Sequence, residues 1–112
     1  MSTIPYNFKR NDTLPVISLA VLNSDGNAYD FSDYVTVRFI MCEDNTGRAV
    51  KVNATANPPV ANVLSYQLDP SDSDTAMTYL AEFQVEFATG DISTFPESGY
   101  MHILIEEDLD AA

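Results

Sequence analysis

The residues of this sequence with the most chemical potential lie in one short stretch, LDPSDSDT at 68–75, where Asp69, Asp72 and Asp74 place three carboxylates within six residues. Closely spaced hard oxygen donors are what a calcium loop needs. They are also what a tight turn uses, because Asp and Ser side chains accept hydrogen bonds from nearby backbone N–H groups. The spacing favours the turn. A calcium loop of the EF-hand kind sets ligands at positions 1, 3 and 5, a glycine at 6 and a glutamate at 12. Counted from Asp69, the acids here fall at 1, 4 and 6, Pro70 takes the second place, and no glycine follows. Asp69, Asp72 and Asp74 are therefore a secondary calcium candidate. The first expectation is that they turn the backbone and face water, so that asparagine at 72 and 74 leaves folding nearly intact.

Other reactive side chains are few. A nucleophilic triad needs a base within hydrogen-bond reach of a Ser or Cys. The one histidine, His102, stands between Met101 and Ile103 in a strand pattern and reads as a surface or cross-strand residue. The one cysteine, Cys42, leaves no internal disulfide and no cysteine-based zinc set. It reads as a packed thiol. The 4 glycines build no phosphate loop, and Asn11 in NDT and Asn53 in NAT match a glycosylation pattern by letters alone. Paired acids for glycoside cleavage need only converge in space, but without a tryptophan no sugar platform singles such a pair out. The sequence reads as a non-enzyme with no catalytic residues and no cofactor.

Composition narrows the partners. With 17 acids against 5 bases the chain carries a formal charge of -12, which repels phosphate backbones and anionic lipid surfaces at long range. Nucleic acid and membrane are thereby disfavoured, and a basic or mixed protein surface fits better. At 112 residues, 46% hydrophobic and 11% aromatic, the chain has the size and composition of one folded domain. No apolar run reaches the roughly 18 residues of a membrane span, and the first residues lack the apolar core of a signal peptide. The expectation is a soluble protein made in the cytoplasm.

The elements that must position these residues read as strands. Residues 14–22 are rich in Val, Ile and Leu and end in an NSDG turn. In 34–42, Val35, Val37, Phe39 and Met41 alternate with Thr36 and Arg38, the period of a half-buried strand. A weaker strand over 48–55 stops before Pro58 and Pro59, which cannot donate to a ladder. Leu64, Tyr66 and Leu68 share one side of 62–68, and Tyr79, Ala81, Phe83, Val85 and Phe87 share one side of 79–87. A last strand puts Met101, Ile103 and Ile105 on one face. No apolar stripe persists at helical spacing, so the pattern predicts an all-β sandwich or small barrel, and the expectation taken forward is an antiparallel sandwich of about seven strands. It divides the chain into an N-terminal arm over 1–12, the sandwich over 13–108 and a short tail over 109–112. Tyr6 and Phe8 in the arm gain from burial, and with Lys9 and Arg10 they are the candidates for contact with a neighbouring protein.

Several of these pieces stand in a familiar order. NDT, the DG turn followed by YDFSDY, the VRF strand, SDTAMTYLAEFQVEF and STFPESGY before the last strand span roughly 8–105. In that order the chain resembles the immunoglobulin-like N-terminal domain of the baseplate upper protein of tailed bacteriophages. It departs from that family at Ala76 and Met77, where a glycine commonly precedes the tyrosine, and at Gln67 and Leu68, where an aromatic is often found. The resemblance implies an immunoglobulin-like fold and a structural virion protein of the tail, baseplate or fibre-attachment region. Its partners would be other virion proteins, met in multiple copies on a symmetric assembly. A capsid decoration or cement protein is the alternative within the virion. A calcium-dependent carbohydrate-binding module, using the loop acids and exposed Tyr29 and Tyr34, is the alternative of another class.

Overall fold

The computed structural model describes residues 4–9, as backbone, and residues 16–106. Strands β1 (Ile4–Lys9), β2 (Val16–Ala20), β3 (Tyr34–Glu43), β4 (Val50–Thr55) and β5 (Val63–Gln67) lead to a 3-10 turn, η1 (Pro70–Asp72). Strands β6 (Met77–Phe87), β7 (Ile92–Phe95) and β8 (Met101–Glu106) follow. One sheet runs β1-β8-β6-β3-β4, with β7 also paired to β6, and β2 pairs with β5 in a second sheet. All pairs are antiparallel except β1 with β8.

This is the immunoglobulin-like β-sandwich expected, and its strand number has a simple origin. Between Phe83 and Ala81, β6 advances two residues while the chain opposite runs six, from Phe95 to Met101, so four residues loop out. β7 and β8 are thus two pieces along one edge of β6. The sandwich has seven strand positions. Ile4–Lys9, read from the sequence as part of an N-terminal arm outside the sandwich, is one of them: its backbone pairs with β8 from Ile4 opposite Met101 to Lys9 opposite Glu106.

Period-2 alternation fills the space between the sheets. Val37, Phe39 and Met41 of β3, Tyr79, Ala81, Phe83 and Val85 of β6, and Met101, Ile103 and Ile105 of β8 are buried. They face Ile17 and Leu19 of β2 and Leu64 and Tyr66 of β5. Phe39 stacks on Tyr66 at 4.7 Å and leans on Phe83 at 5.2 Å, so aromatic rings tie the two sheets at their centre. Each such side chain contributes on the order of 1.5–3 kcal/mol by leaving water. At the start of β6 the Tyr79 hydroxyl donates to the Thr75 carbonyl at 3.0 Å. That is the tyrosine corner of immunoglobulin-like domains, with Ala81 where their strand carries a disulfide cysteine.

One residue breaks the alternation. Val35, expected on the core face, is 56% exposed, because the pairing of β3 with β6 shifts by one residue between Tyr34 and Thr36. A bulge of one residue sends the next side chain to the other face.

Candidate functional site

Three loops meet at one end of the sandwich: 21–33 between β2 and β3, 56–62 between β4 and β5, and 88–91 between β6 and β7. In antibody variable domains the corresponding end carries the binding loops. Here the loops stand on a plug of rings. Tyr29 packs on Phe31 at 4.7 Å and on Phe95 at 5.2 Å, and Phe31 meets Phe95 edge-on at 5.7 Å. Phe31 is buried although it lies in a loop.

Hydrogen bonds fix the loops above the plug. Asp25 and Asp30 each accept the backbone N–H two residues on, from Asn27 at 3.0 Å and Ser32 at 2.9 Å. These are Asx turns, the local use of aspartate that keeps it out of regular strands. The Ser32 backbone, and then its hydroxyl, hold the Asp30 carboxyl below the usual range. The Asn62 amide donates to the Val21 carbonyl at 2.9 Å and the Ala88 N–H to the Asp33 carbonyl at 2.9 Å, which joins all three loops. Glycines serve the tight turns: Gly26 and Gly90 have φ of +88 and +91, where a side chain would be strained.

What this end presents is apolar and acidic together. A groove of about 390 Å³ runs between Tyr29, Tyr34, Pro59 and Asn62. A second, of about 430 Å³, continues past Tyr34 to Val35 and Pro58. Tyr34 and Val35 line these grooves and stand exposed, and Leu22, Val60 and Ile92 are further exposed hydrophobics in or next to the same three loops. Asp25, Asp30, Asp33 and Asp91 lie in the loops, which contain no Lys or Arg. Among the described residues the bases are elsewhere: Arg38 is clamped on the sheet face by Asn53 at 2.8 Å, and Arg48 and Lys51 lie toward the opposite end.

The acids of 68–75 are at that opposite end and do not form a metal site. Asp72 is buried, at 8% exposure. Its Oδ2 accepts the Tyr66 hydroxyl at 2.8 Å and the Asp69 N–H at 2.9 Å, the second contact being the reach-back of a capping box. Burial, and then this bond, push the Tyr66 phenol well above its usual range. Asp74 pairs with Lys51 instead. The expectation that all three face water is therefore corrected at Asp72, which spends its carboxylate on the core. The calcium-dependent carbohydrate reading is corrected with it, since the loop acids and the tyrosines it joined occupy opposite ends of the sandwich and Tyr29 is packed into the ring plug. Among the described residues no three His, Cys, Asp or Glu side chains gather at metal distance.

The other candidates divide. Tyr6, Phe8 and Lys9 belong to β1, and Arg10 lies outside the described residues, as do the tail and Asn11. His102 pairs across from Leu80 on the outer sheet face, and no hydroxyl or thiol is bonded to it among the described residues. The loop-end groove was missed in the sequence. Its one available signal was the density of Asp, Asn, Gly and Pro in 23–33 and 57–62, which marks turns and says nothing of where they meet.

No family model matches the chain, and no curated protein matches it in sequence. Among solved structures it is similar to CopC from Methylosinus trichosporium OB3b, with a TM-score of 0.53 and 9% identity over 95% of this chain and 89% of that one. The match overturns the expected phage role, whether in tail, baseplate or fibre attachment or as a capsid decoration. A β-sandwich of about this length is met in a protein of a cellular organism, so the ordered turns and strands that carried the phage resemblance mark the fold. At 9% identity the likeness to CopC is likewise one of fold.

Proposed function

We propose that this chain is a non-catalytic recognition module whose loop end docks a basic protein segment bearing apolar side chains. The observation that carries the reading is the segregation of charge at that end: Asp25, Asp30, Asp33 and Asp91 share it with the exposed Tyr34, Val35 and Val60, with no base in the three loops. Apolar side chains filling the grooves would supply the affinity. The loop carboxylates would steer the approach and reject acidic partners. Because the loops are bonded to one another and stand on packed rings, little ordering entropy is lost on docking.

The test uses a labelled synthetic peptide of alternating Lys and Leu and reads its fluorescence anisotropy on titration with the full chain. Tyr34→Ala combined with Val60→Ser should weaken binding by about tenfold or more, the size expected when anchor residues are truncated. Val50→Ser, an exposed valine toward the other end, should change it little. Equal loss in both variants, or no loss at the loop end, would overturn the reading.

A further inference from the structure

A smaller cavity lies away from the loops, on the outer face of the large sheet. It measures about 150 Å³ and is lined by Ile40, Cys42, Arg48, Leu80, Glu82 and Tyr100. They arrive by three routes: the β3–β6 ladder, the looped-out segment before β8 and the β3–β4 turn. Ile40 and Glu82 face each other across β3 and β6, with Cys42 and Leu80 the next outward pair. Tyr100 ends the looped-out segment, just before Met101 pairs with Ala81. Arg48 comes from the β3–β4 turn, where the Asn45 side chain accepts the N–H groups of Gly47 at 3.1 Å and Arg48 at 3.0 Å. Those bonds hold Arg48 at φ 46, a conformation uncommon for a residue with a side chain.

The charges around this cavity are not matched to each other. The Arg48 guanidinium lies 5.5 Å from the Tyr100 ring centre and donates to its hydroxyl at 3.4 Å. No carboxylate among the described residues is within ion-pair reach of it. Glu82 is half-buried and likewise has no hydrogen-bond or ion-pair partner among the described residues. Burial lifts its carboxyl above the usual range, as it does for an acid surrounded by Ile40 and Leu80. One cation and one anion thus line the same small apolar-floored space without meeting. A ligand that answers both must carry a carboxylate and an ammonium a few bonds apart, with little bulk.

We propose that this cavity binds a small free amino acid, its carboxylate on Arg48 and its ammonium on Glu82 beside the Tyr100 ring. Arginine offers a planar fork suited to a carboxylate, and an aromatic face next to a carboxylate suits an ammonium. The volume is well below the several hundred Å³ of sites for drug-sized ligands, so glycine or alanine fits the class and a large side chain does not. The site is independent of the loop end and of the partner proposed there.

Amide shifts in a heteronuclear NMR titration of the full chain test this, with glycine and alanine as ligands and propionate and ethylamine as single-charge controls. Shifts should centre on Leu80, Glu82 and Tyr100, and alanine should bind about tenfold or more tightly than either control. Two variants remove one charge each. Arg48→Gly deletes the guanidinium at a φ that glycine takes freely. Glu82→Gln deletes the carboxylate without a stability cost at neutral pH: the folded-state pKa of Glu82 lies above its unfolded value, so ionisation disfavours the fold and stability falls as pH rises through that pKa. Both variants should lose alanine binding by about tenfold or more without a lower Tm. Ethylamine binding as tightly as alanine, no shift with either amino acid, or undiminished binding in either variant would overturn the proposal.

Discussion

Asp72 and Asp74 stand two residues apart in one run of acids, yet they do different work. Asp72 closes the core at its lower corner, taking the Tyr66 hydroxyl and the Asp69 N–H on one oxygen. Asp74 is exposed and holds Lys51 at the surface. An exposed pair is worth little because water and salt screen it and two side chains are ordered to make it. A buried donor left without its acceptor costs about 1–3 kcal/mol. Asp72→Ala should therefore destabilise the chain by about 2 kcal/mol in urea unfolding, with Tyr66→Phe losing less because it removes the buried hydroxyl as well. Asp74→Ala should leave the midpoint close to that of the parent chain. Equal midpoints for the two aspartate variants would show that the bond to Tyr66 contributes nothing.

Strand by strand, the sandwich is held from β3 and β6, which share the longest ladder in the molecule, from Tyr34 opposite Phe87 to Glu43 opposite Tyr79. Phe39 sits at the middle of β3 with no exposure, against Tyr66 and Phe83. It takes the central position between the sheets that a tryptophan and a disulfide occupy in antibody domains. Phe39→Ala should cost about 3–5 kcal/mol, as large-to-small changes in packed cores do. Such a loss is a large part of the stability of a domain this size, so thermal unfolding should show a markedly lower Tm or no cooperative transition. A loss under about 1 kcal/mol would mean that the site collapses readily and the ring stack is not what joins the sheets. The alternation of 79–87 in the sequence located β6 and its core face correctly. It could not show that the last strand position is filled by two pieces, since the looped-out segment keeps strand-like letters on both sides.

Over the whole molecule the charge of -12 acts through its distribution. The loop end carries acids without bases, whereas the opposite end mixes Glu43, Asp69 and Asp74 with Arg48 and Lys51. A field of one sign steers partners of the other and fades as salt shortens the screening length from about 14 Å near 50 mM to about 6 Å near 300 mM. Docking of the Lys and Leu peptide should accordingly weaken severalfold over that range, mainly through a slower association rate. Neutralising Asp30 and Asp33 together should flatten the dependence. Binding indifferent to salt would leave the grooves as the sole basis of recognition.

The sequence by itself determined the sandwich, because a period of two places Val37, Phe39 and Met41, or Met101, Ile103 and Ile105, on one side of any strand that contains them. It likewise read Leu68 to Thr75 as a turn. What only the tertiary structure decided was which side chains meet. Tyr66 reaches Asp72 because η1 folds the chain back under β5, Val35 leaves the core because one bulge resets the register, and Arg48, Glu82 and Tyr100 converge from three separate elements. Local periodicity is set by backbone geometry within a few residues. Loop ends and cavities arise from pairings distant in the chain, and the same letters are compatible with many of those.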